Sequence, residues 1–190
     1  MRATLRQLKS RLERLLSGAT AFNGVGYRSS TPEYATKADL LTGEGSKLHG
    51  GRWNPVGIAA VYASLTPETA MSESLANNRY YGIALEDAMP RTFVAIEANL
   101  HAVLDFRDGS MRRRLQVSEE RILVVDWRRD MRAGHDPITH LIGRAAYEVG
   151  WEGLIVPSAV DRKGHNLLVF PEKLQPRSRL LILHPGCLRT

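Results

Sequence analysis

The chain has 190 residues, 43% of them hydrophobic and 24% charged, with 16 Gly and 9 Pro. That is enough to bury one sizeable core, too little to favour two, and neither disordered nor fibrous in composition. Lys and Arg number 26 against 20 Asp and Glu, a net charge of +6 and a pI near 9.8, so the expected partner is a polyanion, a nucleotide or an acidic protein. The single cysteine, Cys187, excludes an intramolecular disulfide and a Cys-based zinc cluster. The basic start (Arg2, Arg6, Lys9, Arg11, Arg14) has no apolar stretch after it and no run is long enough to span a bilayer, so a cytosolic protein with no membrane partner and no cleaved signal is expected.

Leu5, Leu8, Leu12, Leu15 and Leu16 recur at three- and four-residue spacing before Gly18, which predicts an amphipathic helix. Its leucine stripe suits docking on the core, and its basic face suits solvent, a partner or nucleic acid. A short strand is expected over Val25 to Arg28, followed by a long loop from Ser29 to Gly57 of the kind that tends to carry function. Ile58 to Ala63 reads as a strand. Thr66-Pro67-Glu68 then has the cap, first-turn proline and acidic residue of a helix start, and that helix carries Glu73.

Phe93 to Leu100 alternates as a strand does, and Val103 to Phe106 is a second short candidate. Ser118-Glu119-Glu120 opens another helix. Asp136 and Pro137, as cap and first-turn proline, precede a helix whose apolar face runs from Ile138 to Val149 and stops at Gly150. Leu154 to Pro157, Leu167 to Phe170 and Leu180 to Leu183 are short apolar runs between turn residues. Strands and helices do not alternate regularly, so the expected class is α+β with a largely antiparallel sheet core and flanking helices.

No P-loop, GxGxxG, HExxH or GxSxG motif is present, and the six histidines have no metal-ligand spacing, so no metal is expected. Several separated segments remain: Arg28-Ser29; Gly50-Gly51-Arg52-Trp53-Asn54; Tyr62-Ala63-Ser64; Ala70 with Glu73; and Leu154 to Ala159, which includes Ser158. Alone, Gly-Gly-Arg-Trp reads as a surface turn with a packed Trp, Tyr62 as core, Glu73 as a solvated helix carboxylate and Ser158 as a turn residue.

In this order and spacing the segments resemble the RES-domain family. The resemblance covers about Tyr27 to Phe170, with Thr139 to Gly143 and Asn166 also in matching places. It divides the chain into an appended N-terminal helix (1–20) and a RES domain (21–190). It implies a fold related to ADP-ribosyltransferases of the diphtheria-toxin and PARP kind, and the toxin of a type II toxin–antitoxin pair that consumes NAD+. Some relatives cleave NAD+ with phosphate as co-substrate, and at least one attaches ADP-ribose to a protein. The implied partner is an Xre-like antitoxin covering the active site, with nucleic acid met only through it.

Cleaving the nicotinamide–ribose bond leaves an oxocarbenium-like ribosyl group, which a carboxylate can stabilise. Glu73 is the candidate carboxylate, and Arg28 and Tyr62 complete the expected catalytic set. Arg28 and Arg52 suit the diphosphate or a phosphate nucleophile. Gly51, Trp53, Asn54, Tyr62, Ser64 and Ser158 are the further expected NAD+ contacts. A nucleic-acid-binding or RNase-like protein is the contrasting reading, resting on Arg112-Arg113-Arg114 and Arg128-Arg129. A secreted ADP-ribosyltransferase effector is the third.

Overall fold

The computed structural model describes residues 3–184; Arg2 and Cys187 lie outside the described residues. Thr4 opens helix α1 (Leu5–Leu16) with a reciprocal cap, its hydroxyl accepting from the Gln7 N–H while the Gln7 side chain accepts from the Thr4 N–H. Leu8 and Leu12 are fully buried and Leu15 nearly so, against helix α8 described below. Each fully buried leucine stabilises the docked helix by about 2 kcal/mol. Lys9 reaches Glu148 at 2.8 Å, and Arg11 donates to the Leu115 carbonyl at 2.8 Å.

Strand β1 (Thr20–Ser30) is much longer than the Val25 to Arg28 expected, because nearly its whole length pairs with β3. The segment read as one long loop contains a 3-10 turn at Pro32–Tyr34 and two short helices, α2 (Lys37–Leu41) and α3 (Glu44–His49). Thr36 and Asp39 form a capping box at the start of α2, and Gly43, at φ 73°, makes the left-handed turn between the helices. Strand β2 (Val61–Ser64) leads to helix α4 (Pro67–Tyr80), where the Thr66 hydroxyl accepts from the Thr69 N–H as the sequence predicts.

The two strands expected between Phe93 and Phe106 are one, β3 (Thr92–Asp105). Helices α5 (Gly109–Leu115), α6 (Glu119–Leu123) and α7 (Trp127–Arg132) follow, each with a side-chain cap, from Asp108, Ser118 and Asp126. Only the cap of α6 was expected. Helix α8 (Ile138–Val149) ends at Gly150, with φ 101°, as expected, but Pro137 rather than Asp136 sits at its N-cap. Strands β4 (Gly153–Pro157), β5 (His165–Val169) and β6 (Arg179–Leu183) follow.

The strand pairings run β1-β2-β5-β4-β3 and close because β3 also pairs with β1, while β6 lies on β3 beside the point where β4 joins. Every pairing is antiparallel except β3 with β4. Successive side chains take opposite faces, which separates two apolar layers. Ile155, Leu167 and Val169 join Val94, Ile96, Ala98 and Leu100 in one. Leu154, Val156 and Leu168 pack with the leucines of α1 and with Ile142, Ala145 and Ala146 of α8 in the other. Strands β4 and β5 are therefore covered on both faces, which is why they read as continuous apolar runs. Among the described residues no helix is long and apolar enough to cross a membrane.

Glu152, fully buried just before β4, holds this arrangement through its carboxylate. Oε2 accepts from the N–H groups of His101 at 2.5 Å and Ala102 at 2.8 Å, and Oε1 from that of Gln175 at 2.8 Å. Burial alone would raise its pKa, but these N–H donors and the Ser178 hydroxyl together hold it below the ordinary glutamate value. A group so depressed contributes stability that is present above its unfolded pKa and lost as pH falls through its folded one. Glu152→Gln, which sets an amide NH2 against N–H donors, is expected to cost about 2–3 kcal/mol at pH 7. In urea titrations at stepped pH, that gap should close as pH drops below the unfolded value of about 4.3; a gap independent of pH would refute the ionised form.

Candidate active site

An open cavity of about 220 Å³ lies between β1, β2, β5 and one face of α4. Ala70, Glu73 and Ser74 line it from the helix, at the spacing that places residues on one face. Tyr27, Arg28 and Ser29 line it from β1, Tyr62, Ala63 and Ser64 from β2, and Asn166 from β5.

The Glu73 carboxylate is fixed by two donors aimed at one oxygen. Ser158 Oγ donates to Oε1 at 2.7 Å, and Asn166 Nδ2 donates to the same atom at 2.6 Å. Asn166 is itself oriented by the Ser64 hydroxyl, which donates to its Oδ1 at 2.7 Å. Ser158, three per cent exposed at the end of β4, accepts from the N–H groups of Val160 and Asp161, so its proton is directed to Glu73. None of the described hydrogen bonds engages Glu73 Oε2. The turn beyond Ser158 is tied to α4 as well, since Thr69 donates to Asp161 at 2.7 Å.

Arg28 is a half-buried cation that lines this carboxylate's cavity. Nη1 donates to the Leu40 carbonyl at 3.3 Å, and burial pushes its pKa below the usual arginine value, partly offset by Asp39. A guanidinium stays charged in proteins. Tyr62 lines the cavity, and its hydroxyl is occupied, donating to Asn54 Oδ1 at 2.7 Å and accepting from the Trp53 N–H at 3.0 Å. Burial raises the Tyr62 pKa, with the N–H of Trp53 acting the other way.

Gly51, Arg52, Trp53 and Asn54 do not line the cavity; they form the wall behind Tyr62. Asn54, fully buried, donates to the carbonyls of Ser46 at 2.9 Å and Ile58 at 2.7 Å. Trp53 packs in the core, 5.7 Å from Phe106 between ring centroids. A Cβ at Gly51 would lie 2.5 Å from the Tyr62 hydroxyl, so the backbone passes where no side chain fits. Arg52 turns into the body of the protein, its Nη2 donating to the carbonyls of Ile122 at 2.7 Å and Leu123 at 2.8 Å at the end of α6. Burial lowers its pKa, and Glu73 acts against that.

Sequence spacing gives no role to three further participants, although His140 and Asn166 fall at places that match the family. Asn166 was noted only as a matching position, and its bond to Glu73 links residues 93 apart. His140 donates from Nε2 to the Gly51 carbonyl, 2.7 Å away, since a carbonyl can only accept. Burial lowers its pKa, which suits this neutral structural role. Arg91 bonds Ser29 and Ser74 at the cavity's edge. Of the arginine clusters, Arg112 is drawn into the fold through the Phe106 carbonyl and Glu119, and Arg128 stacks on Trp127 at 4.2 Å and Tyr80 at 4.4 Å. Among the described residues no group of His, Cys, Asp and Glu is arranged to hold a metal ion.

Comparison with known proteins adds to this geometry. The chain is 39% identical over 59 residues to a Prs ADP-ribosylating toxin of Sphingobium sp. (strain YBL2), a match covering 31% of this chain and 37% of that toxin's length. The crystal structure of the M. tuberculosis MbcT–MbcA toxin–antitoxin complex resembles it with a TM-score of 0.65 over 95% of this chain and 93% of that one, at 22% identity, a likeness of fold. The model of the RES domain matches residues 26–183. That span runs from the middle of β1 to the end of β6 and takes in every cavity-lining residue, so the chain belongs to the RES domain family.

Proposed function

We propose that the chain is a toxin that cleaves the nicotinamide–ribose bond of NAD+ and passes the ADP-ribosyl group to phosphate or water. The observation that carries this reading is the Glu73 carboxylate, held by Ser158 and Asn166 at a cavity shared with half-buried Arg28 and Tyr62. As the glycosidic bond breaks, its electron pair goes to the nicotinamide nitrogen, which becomes neutral and needs no proton. Positive charge develops on the ribosyl ring, and Glu73 Oε2 is the oxygen left to face it. The acceptor oxygen then bonds the anomeric carbon; water gives its proton to solvent, whereas the hydrogen phosphate dianion attacks through an unprotonated oxygen and need release none.

In this reading Arg28 offsets the charge of the diphosphate or of the incoming phosphate. Tyr62 offers a ring face for stacking, and Ser64 acts through Asn166. Gly51, Trp53 and Asn54 serve the site by fixing Tyr62, and Arg52 by fastening α6 behind it. Tyr62→Phe keeps the ring and strands the buried Asn54 Oδ1, so a stability loss of about 1–3 kcal/mol is expected. Turnover should fall far less than it does without the Glu73 charge; an equal fall in turnover would give the hydroxyl a chemical role.

A closed, mostly antiparallel sheet with flanking helices supports the expected relationship to the ADP-ribosyltransferase fold. The second reading is transfer of ADP-ribose to a protein, favoured by the likeness to the Prs ADP-ribosylating toxin. The fold neighbour is part of a toxin–antitoxin complex, which supports an antitoxin partner, expected to be Xre-like and to cover the cavity in the cytosol. Product analysis separates the acceptors. ADP-ribose 1''-phosphate formed in phosphate buffer identifies phosphate, free ADP-ribose identifies water, and label carried from NAD+ to a protein identifies the second reading. No product in any of these conditions would overturn the NAD+ reading.

A further inference from the structure

We propose that Arg91 binds the diphosphate of the dinucleotide at the edge of the cavity, the place that sequence spacing gives to Arg52. The assignment rests on NAD+ being the substrate. Arg91 is half-buried just before β3 and is oriented by the cavity wall itself. Its Nε donates to Ser29 Oγ at 3.2 Å, and its Nη2 donates to the Ser29 carbonyl at 3.4 Å and to Ser74 Oγ. Ser29 and Ser74 both line the cavity, one from β1 and the other from α4 a single position beyond Glu73.

These partners are neutral, so they orient the guanidinium without offsetting its charge. Among the described residues no carboxylate forms an ion pair with Arg91, and none of the described hydrogen bonds uses Nη1. Arg52 also has neutral partners, but they are the Ile122 and Leu123 carbonyls at the end of α6, neither of which lines the cavity.

Charge balance points the same way. Each phosphate of the dinucleotide carries a negative charge, and Glu73 adds a third to the occupied cavity. Among the described residues Arg28 is the only Arg or Lys that lines it. A second guanidinium at the edge, pre-oriented by serines, adds a cation to that of Arg28 and suits paired phosphoryl oxygens.

Arg91→Ala is expected to raise KM for NAD+ by about 10- to 100-fold, the range of one hydrogen bond to a charged group, with a much smaller change in kcat. Arg91→Lys, which keeps the charge but not the fork, should fall between. Calorimetric binding of ADP, which carries the diphosphate, should weaken by the same factor, while binding of adenosine should not change. An unchanged KM, or a fall in kcat at constant KM, would overturn the assignment and leave NAD+ cleavage standing. If the wild-type chain cleaves no NAD+ yet binds ADP through Arg91, the enzymatic reading fails and the anion site stands; if ADP affinity is absent or indifferent to Arg91, the site fails.

Discussion

Glu73→Gln is expected to lower NAD+ turnover by about 10²–10³-fold, the scale of losing one preorganised electrostatic contact to a developing charge. The substitution is isosteric, and a glutamine Oε1 can still accept from Ser158 and Asn166, so the fold and the cavity should persist. What is lost is the negative charge that the proposed reaction sets against the ribosyl ring. Glu68→Gln is the matched control, because Glu68 lies on the same helix, exposed in its first turn. That variant should keep full turnover. Thermal melts of the pair should coincide within a few degrees, showing that chemistry rather than folding was changed.

The largest effect on stability is expected at Gly143 of α8, a position that does not line the cavity. A Cβ there would lie 1.6 Å from the Trp53 carbonyl oxygen and 2.8 Å from its carbon, both backbone atoms that cannot swing aside. Gly143→Ala must therefore displace α8 or the Gly51–Asn54 wall, at a cost of about 3 kcal/mol or more. For a chain of this size that is a fall in Tm of roughly 6–12 °C. Turnover should fall too, since the displaced wall carries the Trp53 N–H and Asn54 that hold Tyr62. Gly45→Ala in α3 is the contrast: nothing lies within 4 Å of its Cβ, and replacing a helical glycine should be neutral or stabilising by up to about 1 kcal/mol. Equal melting of the two variants would contradict the packing of α8 on Trp53.

These two positions show what a single sequence makes legible. The leucine stripe of α1, the Thr66-Pro67-Glu68 start of α4 and the apolar runs of β4 and β5 are local signals, and each has a local physical cause. Ala70 and Glu73 fall on one helix face for the same reason. Helices α2 and α3 escape notice because five or six residues are too few to establish a period, although Thr36 and Asp39 have capping-box spacing. Helices α5 and α7 hide in arginine-rich stretches that read as solvated faces, with only Asp108 and Asp126 to mark their starts.

The site divides along the same line. Spacing brings Gly51 to Asn54 near Tyr62, but it does not tell which side of the strand they occupy, and they lie behind the cavity. The bonds of Asn166 to Glu73 and of Arg91 to Ser74 depend on the closure of the sheet and the packing of α4 on β1, which no local pattern records. Arg52 and Arg91 are indistinguishable as letters. One fastens α6 and the other stands at the cavity's edge, and only the tertiary fold separates them.

The most direct measurement is nicotinamide released from NAD+ by the purified chain, followed beside Glu73→Gln at equal concentration and matched folded fraction. Steady release by the wild type is expected, with a loss of at least about 100-fold in the variant. Equal release by both proteins, or none by the wild type, would contradict the proposed reaction.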